Sequence, residues 1–342
     1  MEIGLYTFGD VGTDPATGRR IDAPERLTNL IEEIELADQV GLDVFGLGEH
    51  HRPNYAISAP AVALAAAART TKHIRLSSAV SVLSSDDPIR VFQQFATLDG
   101  LSGGRAELMV GRGSFIESFP LFGYDLDDYN ELFEEKLAML LAINEGEKLN
   151  WPGTKFTPAV NGLGVYPRPV NGKLPVWIAV GGTPQSAVRA GVLGLPLALA
   201  IIGGAPRRFK PLADLYRQAA EQAGHADTAR VSLNVHGFVG EDSQRAADVF
   251  FPAQKQVMDQ IGRERGWPPQ SRAQYDASIG PEGAMFVGSP AQLTDKILGL
   301  KNDLGFDRVC IQMAIGIIDH AEMMKAIEVL GTQVAPALRQ AG

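Results

Sequence analysis

Three short runs in this chain hold residues that can do chemistry. The first is Gly48-Glu49-His50-His51-Arg52, two imidazoles flanked by a carboxylate and a guanidinium. A histidine can change protonation near neutral pH without large tuning. Adjacent residues on an extended chain point to opposite faces. One of His50 and His51 is therefore expected to face a reaction chamber while the other packs, and His50 is the candidate acid/base. The six histidines fall at 50, 51, 73, 225, 236 and 320. None completes a His-rich cluster with this pair, so no metal site is expected.

The second run is Val110-Gly111-Arg112-Gly113-Ser114. Its glycines let the backbone approach a ligand, and Arg112 can bind a phosphate through two parallel hydrogen bonds. No further glycine stands in register for a dinucleotide fingerprint. The third is Val180-Gly181-Gly182-Thr183-Pro184-Gln185-Ser186. A glycine pair, two hydroxyls and an opening helix make an anion cradle, because free N–H groups and the helix dipole both favour negative charge. A plain helix cap by Thr183 is compatible with that use. If the two strands are neighbours, Arg112 and the Gly182–Ser186 loop can hold one phosphate between them.

These runs sit at the ends of short apolar segments. Strands are expected at Ile3–Phe8, Val44–Gly48, Ile74–Val82, Ala106–Gly111, Val176–Val180, Leu197–Ile202, Val231–Val239 and Arg308–Met313. Their Val, Ile and Leu show little alternation, which reads as parallel strands buried on both faces. Helical patterns separate them, several opened by proline at a first-turn position. Eight strands alternating with helices predict an α/β fold, a (β/α)8 TIM barrel as one unit over 1–342. A doubly wound sheet is the alternative. In a barrel the carboxyl ends of the strands carry function, and insertions are expected over that mouth. Two stretches break the alternation. Lys148–Lys173 is expected to hold a small hairpin. The other, Glu241–Ser289, is expected to carry a helix near Pro252–Arg265 and a lid over Gly266–Gly283.

Composition narrows the class. The chain has 342 residues, 31 Lys and Arg against 40 Asp and Glu, and a net charge of −9. That argues against a general nucleic-acid or anionic-membrane binder. A lone cysteine, Cys310, forbids an internal disulfide and fits a reducing cytoplasm. The acidic N-terminal run does not read as a signal peptide, and no apolar run approaches the roughly 20 residues of a membrane helix.

The sequence resembles the bacterial luciferase-like family of flavin-dependent monooxygenases over nearly its whole length. Four segments carry the likeness: Gly4-Leu-Tyr-Thr-Phe8; Phe45-Gly-Leu-Gly-Glu-His-His51; Leu98-Asp-Gly-Leu-Ser-Gly-Gly-Arg-Ala-Glu-Leu-Met-Val-Gly-Arg-Gly113; and Tyr166-Pro-Arg-Pro169 leading to Val176-Trp-Ile-Ala-Val-Gly-Gly-Thr183. The Ser102-Gly-Gly-Arg105 turn followed by Gly-Arg-Gly is the most specific. The resemblance implies reduced FMN from a separate flavin reductase, O2 as co-substrate, a small organic substrate and a homodimer. It implies that Arg112, Gly182, Thr183 and Ser186 receive the FMN phosphate. Ser78, Ala79 and Val80 match a stretch whose backbone lies against the flavin ring, where the family has a non-proline cis peptide. His50 matches the histidine that the luciferases use in catalysis. The run Ser114-Phe-Ile-Glu-Ser-Phe119 departs from the luciferases, so an aldehyde substrate and light emission are not implied. An F420-dependent oxidoreductase of the same fold and a non-catalytic flavin binder are the alternatives.

Overall fold

All eight expected segments become strands of one closed parallel barrel. In this computed structural model, which describes residues 1–113 and 115–341, they are β1 (Glu2–Thr7), β2 (Val44–Leu47), β3 (Arg75–Ser78), β4 (Ala106–Gly111), β5 (Val176–Val180), β6 (Leu197–Ile201), β7 (Val231–Val239) and β8 (Arg308–Gln312). Each pairs in parallel with the next, and β8 returns to β1 with Glu2 opposite Arg308. β4 pairs β5, with Trp177 opposite Met109. The strand-end runs at Arg112 and Gly182 are therefore neighbours. A closed ring excludes the doubly wound sheet.

Around the barrel run α1 (Ala23–Gln39), α2 (Pro60–Thr70), α3 (Pro88–Ser102), α4 (Tyr129–Glu145), α5 (Pro184–Val192) and α6 (Lys210–Gln222). They are followed by α7 (Ser243–Arg265), α8 (Arg272–Ile279), α9 (Pro290–Leu304) and α10 (His320–Val329). Asp22 and Asp87 begin α1 and α3, accepting the N–H groups of Glu25 at 3.0 Å and Arg90 at 2.9 Å. The main core lies between strands and helices, where Leu64, Leu76, Phe92, Leu108, Ile178 and Val235 are buried. Two smaller apolar clusters stand apart from it: Tyr6, Val44 and Cys310 with Phe8 and Ala79 against them, and Met109, Trp177 and Ala198 with Val80 and Ala179. At the amino ends of the strands, buried Arg308 makes a two-pronged contact with Glu107 at 2.7 and 3.0 Å. Its guanidinium lies 4.3 Å over the Trp177 ring. This plug fills the amino end of the barrel interior.

The two insertions take definite forms. A hairpin does form, Lys148–Trp151 against Val160–Gly164, but in the connection from α4 into β5. It runs back along α4, and its tip reaches the mouth end of that helix, where Lys155 pairs with Asp128 at 2.6 Å and Glu131 at 3.1 Å and the Phe156 N–H donates to Glu135 at 2.9 Å. α7 begins at Ser243 with Asp242 accepting the Arg245 N–H at 2.8 Å. Pro252 lies inside this helix instead of opening it. The stretch read as a lid contains α8, opened by a capping box at Ser271. Its Tyr275 is fully buried and donates to the Ala247 carbonyl at 3.2 Å. Turn-forming residues flank α8, so the expected lid segment is built on a helix.

Candidate active site

The carboxyl ends of β4 and β5 converge on one cationic group. Arg112 donates to Asn130 Oδ1 at 2.6 Å, to Ser186 Oγ at 3.3 Å and towards Thr183 Oγ1 at 3.5 Å. Thr183 is the N-cap of α5, with Pro184 in the first turn. Its hydroxyl is not used as a cap, so it remains available to a ligand. Gly182 has φ +138°, and a Cβ built on Gly181 or Gly182 would meet nothing within 4 Å. The cradle therefore has an arginine, two hydroxyls, a helix N-terminus and open space above the glycines. The Arg112 guanidinium also lies 5.2 Å over the Tyr129 ring. The Tyr129 hydroxyl donates to Gly113 O at 2.7 Å and braces the turn. Ser114, the end of that run, lies outside the described residues.

Beside the cradle, β3 stops and the chain turns. The Ala79–Val80 peptide is cis. Beyond it Ser81–Val82 rejoins β4 opposite Val110 and Gly111. The turn takes the β3 backbone away from Met109, and Ser78 fills the gap. Its Oγ donates to Met109 O at 2.8 Å and accepts the Met109 N–H at 3.0 Å. Ser78 is itself fully buried, so the surface open to a ligand begins at Ala79. Ala79 and Val80 are half-buried. Glycines make room for them: a Cβ on Gly46 would meet Ala79 Cβ at 2.8 Å, and one on Gly111 would meet Val80 Cγ2 at 3.0 Å. Gly48 has the same constraint from the Phe8 ring and the Ala79 carbonyl oxygen.

His50 and His51 separate as strand geometry requires. His51 Nε2 lies 2.8 Å from Glu49 Oε1, and Glu49 Oε2 accepts the Val82 N–H at 2.8 Å. Buried Glu49 thus ties the β2 end to the segment after the cis peptide. His50 is 8% exposed and its Nε2 has no partner. Its ring centroid lies 4.3 Å from Phe8, 4.6 Å from Tyr55 and 5.1 Å from Phe115. Burial, with Arg52 and His51 adding positive charge nearby, pushes its pKa down to about 3. This lies well below the near-neutral value of an unperturbed histidine. Three aromatic neighbours desolvate the ring, so His50 is a neutral imidazole at pH 7.

Residues 1–308 match the profile of the family described as luciferase-like monooxygenase. The chain belongs to that family. It is an enzyme of the monooxygenase and oxidoreductase type found throughout the group. It is 28% identical over 331 residues to a 4-hydroxyprotoasukamycin monooxygenase of Streptomyces nodosus subsp. asukaensis, covering 90% of this chain and 86% of the relative. Among solved structures, the monooxygenase RslO1 of Streptomyces bottropensis superposes with a TM-score of 0.83 at 22% identity, covering 98% of this chain and 99% of the other. The oxygenating constituent of 3,6-diketocamphane monooxygenase of Pseudomonas putida, a type II Baeyer-Villiger monooxygenase solved with FMN, gives 0.76 at 20% identity over 98% of each chain. A coenzyme F420-dependent tetrahydromethanopterin reductase of Methanopyrus kandleri gives 0.73 at 20% identity, over 98% of this chain and 99% of the other. Structures of the family's fold thus include both an FMN complex and an F420 enzyme.

This family member also uses residues that no strand-end motif announces. Asn130 and Tyr129 come from the start of α4, and Phe8, Tyr55 and Phe115 come from three different loops. Their shared signal is only that they lie in strand-to-helix loops or the first turn of a helix at the carboxyl ends of the strands. No helix among the described residues is long and apolar enough to cross a membrane.

Proposed function

We propose that this chain is an FMN-dependent monooxygenase acting on a small organic molecule with O2, and that a separate flavin reductase supplies its reduced FMN. The observation that carries the reading is the reach of one guanidinium, Arg112, to both hydroxyls at the head of α5. A terminal phosphate monoester suits this donor set. Its dianion accepts charge-assisted hydrogen bonds from Arg112, from the Thr183 and Ser186 hydroxyls and from the free N–H groups of the helix start. Bound there, reduced FMN would supply the electrons that activate O2.

The chain's own residues do the rest. Arg112, Gly182, Thr183 and Ser186 bind and orient the phosphate. The small surface at Ala79 and Val80, backed by glycines, receives a flat ring system. Phe8, Tyr55 and Phe115 exclude water from the ground beside it, which protects reactive oxygen chemistry from side reactions. His50 presents a neutral imidazole that accepts or donates one hydrogen bond at the reacting group. Exposed apolar side chains on α2 and α3 support a homodimer.

Mixing the chain and reduced FMN with aerated buffer in a stopped-flow instrument tests the reading. Flavin reoxidation should differ from that of free reduced FMN, and reductase-coupled turnover of a substrate should consume O2. Hydride transfer from reduced F420 without O2 uptake, together with no effect on FMN reoxidation, would contradict it.

A further inference from the structure

The ground over His50 is filled by the chain itself. Phe115 packs edge-on to His50 with an interplanar angle of 78°, and it also meets the Tyr55 ring at 6.2 Å. Arg52 lies over the Phe115 ring, its guanidinium carbon 4.5 Å from the centroid. Arg52 is itself fixed by Glu264 at 2.5 Å and Glu117 at 3.3 Å. Phe115 therefore completes a compartment of aromatic walls, a cation on one side and an imidazole at the base. It does so from a surface segment, for its neighbour Ile116 is 56% exposed. One feature of this packing is unfavourable. His50 Nε2 is buried without a hydrogen-bond partner, and a hydrocarbon ring offers it none. A buried polar atom left this way carries a desolvation cost that a suitable ligand removes.

We propose that Phe115 occupies the place of the substrate, and that the substrate is a planar aromatic molecule bearing a hydroxyl group, which displaces Phe115 and pairs its oxygen with His50 Nε2. The proposal rests on the reading of this mouth as the reaction chamber. The ring is favoured over an aliphatic chain because Phe8, Tyr55 and Arg52 present edges, a face and a cation that interact with a π system beyond simple burial. A hydroxyl is favoured because it both donates and accepts, so it satisfies Nε2 in either neutral tautomer of His50. Phe115 is then a specificity-determining residue. Its ring measures the size of what replaces it and keeps water off His50 until replacement occurs.

The test measures binding to the flavin-free chain by calorimetry, with 2-naphthol, naphthalene and decan-1-ol as probes. Phe115→Ala removes the resident ring, and Phe115→Leu keeps an apolar plug should the alanine variant not fold. Phe115→Ala should bind 2-naphthol about tenfold more tightly than the parent does, and Phe115→Leu, with its smaller plug, should gain a lesser factor. Each variant should also prefer 2-naphthol to both naphthalene and decan-1-ol, and His50→Phe in the same background should erase the preference over naphthalene. Equal affinities for 2-naphthol and decan-1-ol, or no gain over the parent, would overturn the proposal. FMN titration of the same samples separates the two readings. Intact FMN binding without a naphthol preference refutes the aromatic substrate alone, while a naphthol preference without FMN binding refutes the cofactor alone.

Discussion

His50 is charged or neutral according to what surrounds it, and four segments decide that. The Gly-Glu-His-His-Arg run is legible as a strand end. The desolvation is not, because Phe8 and Phe115 reach His50 from the loops after β1 and β4 only when the barrel closes, and Tyr55 folds back on it within its own loop. With its pKa near 3, His50 remains neutral in the fold while the unfolded chain takes up a proton below about pH 6.5. Between those values the unfolded state binds more protons. His50 therefore contributes stability that is present above about pH 6.5 and lost as pH falls towards 3. The His50 imidazole resonances should show no midpoint from pH 5 to 8, whereas those of a solvent-exposed histidine would. A midpoint near 6.5 would return His50 to the role of a titrating acid. Arg112, by contrast, was legible with its partners. Its glycine neighbours and the Gly-Gly-Thr-Pro run occupy consecutive strand ends, and parallel pairing of β4 and β5 brings them together. Asn130 was not legible, because nothing in its own neighbourhood marks it.

At the scale of elements, the turn after β3 is the part that most needs explaining. Residues 74–82 read as one strand, and in the fold the cis Ala79–Val80 peptide divides them. Ser78 repairs the break by satisfying both polar groups of Met109. Replacing Ser78 by Ala leaves a buried N–H and a buried carbonyl without that partner, at a cost of about 1–3 kcal/mol. Chemical denaturation should show that loss with the m-value unchanged. A neutral result would mean that the β3 backbone or water takes over the pairing. The eight strands were legible from their unalternating Val, Ile and Leu because a barrel strand is buried on both faces. Pro252 misled for a physical reason. Proline marks helix starts well, but within α7 it removes one hydrogen bond from an element 23 residues long without ending it. Lys148–Lys173 shows a hairpin from its turn residues, while only the contacts of Lys155 and Phe156 with Asp128, Glu131 and Glu135 show that its tip reaches the mouth end of α4.

For the whole molecule, α2 and α3 each leave a large apolar side chain exposed. Val62 is 70% exposed and Leu101 41%, on helices that pack side by side. Alanines 63, 65 and 66 beside Val62 would allow close approach by another helix. We expect two copies to pair through this face. Light scattering at micromolar concentration should report about twice the 36.7 kDa chain mass. Val62→Glu should shift it to the monomer, since a carboxylate buried at such a contact has no partner. A parent chain that stays monomeric would contradict the pairing.

The account as a whole stands on the phosphate cradle between β4 and β5. Equilibrium titration of the parent chain and Arg112→Ala with FMN and with riboflavin, which lacks only the phosphate, tests it most directly. A charge-assisted contact of this kind is worth roughly 1.5–3 kcal/mol, or about ten- to a hundredfold in affinity. The parent should bind FMN more tightly than riboflavin, and Arg112→Ala should lose that factor for FMN while its riboflavin affinity hardly changes. Equal losses for the two flavins, or a parent that does not distinguish them, would show that Arg112 does not hold a flavin phosphate.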